Sequence, residues 1–330
     1  MKKIIGFILL FSLLSTLLTG CEKNQNDKEQ KEITIGYFPN INHVAGMVAE
    51  EKDFYLETLP NGVKVKYQYF PDGSAFMTAV ETGEIEGGLV GPGPAMNHFA
   101  SGAKINIVAS GSTGGTVIMS RKNAGIDSPQ DLAGKAFISP RVGCTHDVQF
   151  ESQMEDDYKL TSDRVNGQMK HVTGKPATYH SMFTSKKVDV ATVPEPWASF
   201  IEEKGSGKVL IDTDDVAWGR TLPAAVFVTS QELIDKDPEL VQSIVDGHKQ
   251  AIEFISKNPD EAKEIAIHKI QEITDQKLSK SVIDRAWRRI DFTYEIDENV
   301  LQEFSDASYE LKFLKRKPNL EGLVNPRFLK

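Results

Sequence analysis

Short apolar runs rich in Val, Ile and Phe alternate with longer stretches of helical periodicity along the first two thirds of the chain. The short runs predict strands at 33–38, 63–70, 87–90, 105–110, 116–121, 136–139, 168–172, 188–193, 209–212 and 224–229. Helical periodicity between them predicts helices that include 44–54, 74–82, 95–101, 147–158 and 179–185. Strands that alternate with helices predict parallel sheets of the α/β class.

The last third of the chain is almost entirely helical in its pattern. Pro238 and Pro259 follow Asp237 and Asn258, which is the arrangement of a first-turn proline after an N-cap residue. Leu240, Ile244, Val245 and His248 then share one helical face. Helices after a block of strands indicate a chain that returns to cover an earlier part of the molecule.

The beginning of the chain reads as an export signal. Lys2 and Lys3 precede an apolar run at 4–18, which is shorter than the roughly 20 residues of a membrane-spanning helix. Leu-Thr-Gly-Cys at 18–21 resembles a bacterial lipobox. The resemblance implies that 1–20 is a signal peptide and that Cys21 carries the lipid, which places the protein on the extracytoplasmic face of the cell membrane. An ordinary secretory signal with an accidental cysteine is the alternative.

Composition narrows the class of protein. Residues 21–32 contain no apolar side chain after Cys21 and predict a flexible tether. The remaining 300 or so residues have room for two domains of ordinary size. The formal net charge is −9, so the chain lacks the excess of basic residues that is typical of a nucleic-acid-binding protein. Cys144 has no second cysteine to pair with once Cys21 is lipidated, so disulfides cannot hold the fold.

Candidate ligand-binding residues follow several predicted strands, where open α/β sheets bind ligands against helix N-termini. The neutral polar groups and turns at these positions are Asn40, Asn42, His43, Gly91, Ser112, Thr113 and Gly114. Helix caps and plain connecting loops are the alternative interpretation of each. The segment 111–115 in particular reads as a loop whose hydroxyls donate to an anion.

Two further segments resemble a known family. Ser-Pro-Gln-Asp-Leu-Ala-Gly-Lys at 128–135 leads through a strand to Gly143-Cys144-Thr145, and Pro194-Glu195-Pro196-Trp197 follows a later strand. This order resembles extracytoplasmic solute-binding proteins of ABC transporters. Within that family, the motifs resemble the branch that binds aliphatic sulfonates, taurine and nitrate. This branch also includes proteins that bind thiamine pyrimidines. The similarity covers the chain from Ile33 onward.

The resemblance implies a two-lobed periplasmic-binding-protein-like fold of type II, with the ligand in the cleft. Lobe 1 would comprise 33–120 and the returning segment 223–330 with its C-terminal helices, and lobe 2 would comprise 121–222. The strands 116–121 and 224–229 would cross between the lobes as a hinge. The implied partners are a small sulfonate-like anion, an ABC permease and its ATPase, with the protein acting as a monomer.

Some residues depart from the family pattern or have open roles. Many relatives carry an arginine where this chain has Glu151, so Glu151→Arg is expected to preserve or improve anion affinity. Arg141 is then the cation expected near the cleft. Cys144 and Thr145, in the loop that follows, are further candidate ligand contacts. Glu195 and Trp218 are candidate ligand contacts, although structural roles are the alternative for both.

A binding protein fits the sequence better than an enzyme. Gly-x-Ser-x-Gly is absent, and the seven histidines lack the spacing of a metal site. A thiamine-pyrimidine-synthase-like enzyme would need a cysteine-rich iron motif, which one spare cysteine cannot provide. The sequence thus predicts neither cofactor nor metal. A nitrate-like anion and a pyrimidine or amine remain alternative ligands.

Replacing Cys21 with alanine tests the lipobox. Cys21→Ala removes the sulfur that receives the lipid, so the exported protein should be unprocessed or released from the membrane. Membrane fractionation and labelling with a radioactive fatty acid measure this. Labelled, fully processed variant in the membrane fraction would contradict the interpretation.

Overall fold

Two β-sheets carry the fold in the computed structural model, which describes residues 31–330. Glu32–Lys330 forms one compact unit. The predicted signal peptide, Cys21 and nearly all of the predicted tether lie outside the described residues. Among residues 31–330, the helices lack the length and apolar character that a bilayer-crossing segment needs.

The first sheet combines strands from both ends of the described chain. Its strands are β1 (Glu32–Tyr37), β2 (Lys64–Tyr69), β3 (Gly87–Val90), β4 (Ile105–Gly114), β10 (Pro223–Ser230) and β11 (Ile290–Asp291). They lie in the order β11-β4-β10-β3-β1-β2. β1 is parallel to β2 and β3, whereas β10 is antiparallel to both β3 and β4. The sheet is therefore mixed, not parallel throughout as predicted, because the returning strand enters it in the opposite direction.

The second sheet is built from the middle of the chain. It contains β5 (Thr116–Arg121), β6 (Ala136–Ser139), β7 (Lys170–Thr173), β8 (Val190–Pro194) and β9 (Gly207–Ile211) in the order β7-β6-β8-β5-β9. β6 is parallel to β7 and β8, and β5 is antiparallel to β8 and β9. The strands expected from the apolar runs are confirmed, and β11 is an addition that the pattern did not reveal.

Helices cover both sheets. They are α1 (Val44–Glu51), α2 (Phe54–Thr58), α3 (Gly73–Glu81), α4 (Pro92–Ala100), α5 (Thr145–Tyr158), α6 (Tyr179–Thr184), α7 (Trp197–Lys204), α8 (Gln231–Lys236), α9 (Pro238–Lys257), α10 (Pro259–Thr274), α11 (Lys280–Trp287) and α12 (Glu298–Glu310). α9 and α10 begin at the prolines that predict them. α9 buries its predicted apolar face. Both α9 and α10 pack against α1, the helix that follows β1 of the first sheet.

The chain passes from the first sheet to the second at Gly114-Gly115. Both residues have positive φ, +79° and +75°. A Cβ atom at Gly115 would lie 2.5 Å from Asn42 Oδ1, and one at Gly114 would lie 2.5 Å from the Arg289 carbonyl oxygen. Only glycine fits this passage. The chain returns between β9 and β10, while the lobe boundaries at 120 and 222 stay a prediction.

The loop expected at 111–115 is instead the end of a strand, which corrects the sequence interpretation. β4 continues to Gly114 because β10 follows it with three register shifts, pairing Ala225 with Ser112 and Pro223 with Thr113. β11 then pairs with the last two residues of β4 from the other side. The backbone groups of this segment are used within the sheet.

Arg289 joins the two sheets at this passage. Its guanidinium donates to Asp212 (2.6 and 2.9 Å), to Glu195 Oε1 (2.6 Å) and to Glu202 Oε2 (3.1 Å). Its carbonyl oxygen accepts the Gly115 N–H at 2.8 Å, and the Glu195 N–H donates to the Gly115 carbonyl at 2.9 Å. Glu195 is fully buried, and Ser199 donates to it from both its N–H and its hydroxyl.

Gly88 in β3 offers a test of this strand packing. A Cβ atom there would lie 2.0 Å from the Gly36 carbonyl oxygen, and φ is +152°. Gly88→Ala should therefore lower the free energy of unfolding by about 3 kcal/mol, measured by urea denaturation. Gly62→Ala is the control, because φ is also positive there (+89°) but no atom lies within 4 Å. Gly62→Ala should lower the free energy of unfolding by only about 1 kcal/mol. Equal losses would refute the close approach in β3.

Candidate functional site

A cleft of about 640 Å³ opens where the strands of the two sheets end. The first sheet contributes residues after β1, β2 and β3, and the second contributes residues after β6, β7 and β8. The polar and charged side chains in its wall include those of Asn40, Asn42, His43, Asp72, Arg141, Cys144, Thr145, His146 and Lys175. Phe38, Tyr69, Phe70 and Trp197 add aromatic surface, and the end of α10 contributes Ile273 and Thr274.

Several helices begin at this cleft. α4 starts after Gly91, α5 after Cys144 and α7 after Pro196, and a 3₁₀ turn at Ile41–His43 leads into α1. The Asn40 side chain caps this turn by accepting the Asn42 N–H at 3.0 Å. Helix N-termini carry partial positive charge, so their convergence gives the cleft a preference for an anion.

Contacts across the cleft join residues that follow β3 to residues that follow β6. The Gly93 N–H donates to Thr145 Oγ1 at 3.1 Å, and Asn97 Nδ2 donates to the Gly143 carbonyl at 3.0 Å. Gly91 lies so close that a Cβ atom there would be 2.6 Å from Thr145 Oγ1. α4 and α5 therefore face each other at hydrogen-bond distance, which is a closed arrangement.

The charged groups of the cleft are partly paired. Arg141 Nη1 lies 2.9 Å from Asp72 Oδ1, and the Arg141 side chain keeps 52% of its surface exposed. Lys175 is a second cation in the wall and is exposed. The sequence interpretation missed Lys175, although it follows β7 at a strand end, the same position that indicated the other candidates.

Two histidines in the wall are neutral at neutral pH. Burial, with a smaller contribution from the nearby His146, lowers the pKa of His43 to about 3. Burial also lowers the pKa of His146 to about 4. The Cys144 thiol remains protonated, since burial and the neighbouring Asp147 raise its pKa to about 12. Cys144, the one cysteine in the part of the chain that the structure describes, thus offers no thiolate nucleophile.

Five predicted ligand contacts lie outside the cleft wall. Ser112 supports the wall from behind by donating to the Asn42 carbonyl at 2.9 Å. Thr113 and Gly114 pair with β11 instead. Glu195 is committed to Arg289, and Trp218 packs its ring edge-on against Phe304 with centroids 5.2 Å apart. The other candidates, namely Asn40, Asn42, His43, Gly91, Arg141, Cys144 and Thr145, do line the cleft.

Glu151 also lies away from the cleft, on the buried side of α5. Its Oε2 accepts hydrogen bonds from Ser162 Oγ (2.9 Å) and Arg164 Nη2 (2.8 Å). Burial raises its pKa. Asp147 and His171 place ligand atoms within 4.8 Å of Glu151, a donor set of the kind that holds a metal ion. The Arg164 guanidinium already supplies a positive charge beside these carboxylates. The structure therefore accounts for the acidic cluster without a bound metal ion.

Position 151 therefore lies away from the cleft wall, and the expectation that Glu151→Arg preserves or improves anion affinity stays a prediction. Arg164 reaches from Glu151 to the Leu311 carbonyl (2.8 Å), and its guanidinium lies 3.8 Å from the centre of the Phe313 ring. Glu151 holds Arg164 in this bridge between α5 and the segment after α12. The Glu151 carboxylate therefore stabilises the packing on the side of α5 that faces away from the cleft.

Comparisons with known proteins agree with this architecture. The model of the NMT1-like family matches residues 26–269. A Brucella abortus (strain 2308) protein named as a binding protein is 26% identical over 71% of this chain and 72% of its own length. The taurine-binding periplasmic protein of Escherichia coli (strain K12) is 26% identical over 61% of this chain and 60% of its own length.

A solved structure shares the fold. The alkanesulfonate-binding protein SsuA from Xanthomonas axonopodis pv. citri, bound to MOPS, superposes with a TM-score of 0.76 at 18% identity. The match covers 89% of this chain and 98% of the other. The likeness confirms the predicted two-lobed periplasmic-binding-protein-like fold of the α/β class.

Glu151→Arg tests the assignment of that residue to packing. The variant leaves Arg164 without its carboxylate and buries a second cation beside it, so the free energy of unfolding should fall by about 3 to 5 kcal/mol. Glu155→Arg, one turn along α5 and exposed, should change it by less than about 0.5 kcal/mol. Denaturant unfolding measures both. A fully stable Glu151→Arg protein would contradict the buried bridge.

Proposed function

The chain belongs to the NMT1-like family, and on that premise we propose that it is the solute-binding lipoprotein of an ABC importer. It captures a small sulfonate-like anion in the cleft and delivers it to a membrane permease driven by a cytoplasmic ATPase. The lipid on Cys21 holds the monomer on the extracytoplasmic face of the cell membrane, and the polar segment after Cys21 acts as its tether.

The convergence of helix N-termini on one closed cleft carries this proposal. α4, α5 and α7 begin there, and Arg141 and Lys175 add positive charge to the wall. A cleft of about 640 Å³ suits a small molecule. Hydrogen bonds to a charged group contribute about 1.5 to 3 kcal/mol each, so about three or four of them reach micromolar affinity.

The relatives support the anion as the ligand class. One of them is named for taurine and one for alkanesulfonates, and both of these names describe sulfonates. Burial and the neighbouring Asp147 hold the Cys144 thiol protonated, which supports a binding role for this residue over nucleophilic catalysis. Selectivity then comes from fixed donors and acceptors that lose their partners when a wrong solute enters.

A thermal-shift screen tests the function. The panel contains taurine, ethanesulfonate, nitrate, choline and 4-amino-2-methylpyrimidine. A sulfonate present at 100 times its dissociation constant should add about 2.7 kcal/mol to the free energy of unfolding and raise the melting temperature. Stabilisation by nitrate, choline or the pyrimidine without any by a sulfonate would overturn the sulfonate assignment in favour of that ligand.

Two threonines provide a matched pair of variants. Thr145→Val removes the hydroxyl that accepts the Gly93 N–H in the cleft wall, so sulfonate affinity should fall roughly tenfold, as expected for the loss of about 1.4 kcal/mol. Thr113→Val, outside the cleft in β4, should leave the affinity within about twofold. Isothermal titration calorimetry measures both variants, with circular dichroism to confirm their folds. Equal effects would contradict the cleft as the binding site.

A further inference from the structure

Arg164 joins the two halves of the molecule at a place outside the cleft. It lies in a 3₁₀ turn at Asp163–Val165, which precedes β7 of the second sheet. α12 belongs to the other half, since its Leu301 and Phe304 are buried in one hydrophobic cluster with Val226 of β10. A contact between Arg164 and the segment after α12 therefore connects the half built on the second sheet to the half built on the first.

This contact combines hydrogen bonds with an aromatic ring. Arg164 Nη2 donates to the Leu311 carbonyl at 2.8 Å, and Nη1 donates to the Lys312 carbonyl at 3.4 Å. The guanidinium carbon lies 3.8 Å from the centre of the Phe313 ring, which is the distance of a cation–π contact. The Arg164 side chain keeps only 19% of its surface exposed. Salt and water therefore screen its interactions less than those of a surface arginine.

Phe313 and Asn97 also hold the loop that leads into α5. The Asn97 side chain, on α4, donates to the Gly143 carbonyl at 3.0 Å. A Cβ atom at Gly143 would lie 3.3 Å from Asn97 Nδ2 and 3.4 Å from Phe313 Cδ1, so both side chains pack against this glycine. Gly143 immediately precedes Cys144 and Thr145 of the cleft wall. The position of this part of the wall thus depends on two side chains of the first sheet's half.

The three side chains lie outside the cleft wall. Asn97, Arg164 and Phe313 line a separate groove of about 470 Å³ beside Val142. Their contacts across the two halves are therefore the same whichever solute the cleft holds. An interaction that is made in only one of two conformations shifts the equilibrium toward that conformation by its own free energy.

We propose that Asn97, Arg164 and Phe313 form a clasp that stabilises the closed cleft and sets how long a solute stays bound without contacting it. The inference rests on the proposed function, in which the halves separate to release the solute. Separation breaks the clasp, and the release rate scales with the population of the open form. The three side chains are positioning residues, and they act equally on every solute.

Phe313→Leu tests the clasp, and Tyr309→Leu is the matched control. Tyr309 is an aromatic residue of α12 that is 38% exposed and lies outside the groove. Stopped-flow fluorescence measures the release of taurine and of ethanesulfonate. Phe313→Leu should speed the release of both solutes by the same factor, about fivefold. Tyr309→Leu should leave the release rates within about twofold of the unmodified protein.

A double-variant cycle tests whether Arg164 and Phe313 act together. Arg164→Lys keeps a positive charge beside Glu151 but removes the planar guanidinium that faces the Phe313 ring. It should also speed release, and adding it to Phe313→Leu should increase the rate by less than about twofold, because the contact is already lost. Additive effects overturn the clasp. Unchanged release from Phe313→Leu, or different factors for the two solutes, does the same.

The Cys144 thiol reports the opening of the cleft without any solute. In the Cys21→Ala protein it is the only thiol of the chain, and it lies in the cleft wall next to Gly143. Its reaction with fluorescein maleimide at pH 7 should be about fivefold faster in Phe313→Leu, because the rate follows the population of the open form.

Gly62→Ala controls for a general loss of stability in this assay. Position 62 lies before β2 and outside the clasp, so its thiol reaction should keep the rate of the unmodified protein. Equal thiol rates in Phe313→Leu and the unmodified protein overturn the clasp. Since the assay contains no sulfonate, its result is independent of the thermal-shift screen that decides the proposed function.

Discussion

The buried ion pair between Arg289 and Glu195 is the interaction on which the geometry of the cleft depends. Glu195 is wholly desolvated, which by itself raises its pKa, and Arg289 supplies the opposing charge. Removal of either partner from such a pair leaves an uncompensated charge at a cost of about 3 to 5 kcal/mol. Arg289 and Glu195 also hold Gly115 from both sides through the backbone. The passage between the sheets, and with it the packing of Asn42 against Gly115, is fixed by this cluster.

Local patterns in the sequence located most of the elements but not their partners. Apolar runs located the strands because a buried strand needs continuous apolar residues, and the two first-turn prolines located α9 and α10. The end of β4 was read as a loop because its partner β11 lies far along the chain and contains only Ile290 and Asp291. Glycine and hydroxyl content alone gave no sign of that pairing.

The candidate site shows the same division. The strand-end rule located Asn40, His43 and Thr145 because topology alone brings the carboxyl ends of parallel strands together. It could not exclude Glu195 and Trp218, whose partners Arg289 and Phe304 come from the C-terminal third of the chain. The hydrogen bond between His146 and Thr116 was likewise out of reach, since the two residues lie 30 positions apart in the sequence.

Thr145 lines the cleft and at the same time holds Gly93 of the facing helix. Under the proposed function, a substitution at Thr145 changes two quantities together: the contacts with the solute and the closure of α4 against α5. Apparent affinity scales with the population of the binding-competent form, so the two effects multiply. A fluorescent sensor engineered from this protein would therefore have its dynamic range altered by any change of solute preference made at this position. Residues such as Phe38 or Tyr69, in the wall but outside the contacts between α4 and α5, are the better places to retune preference independently.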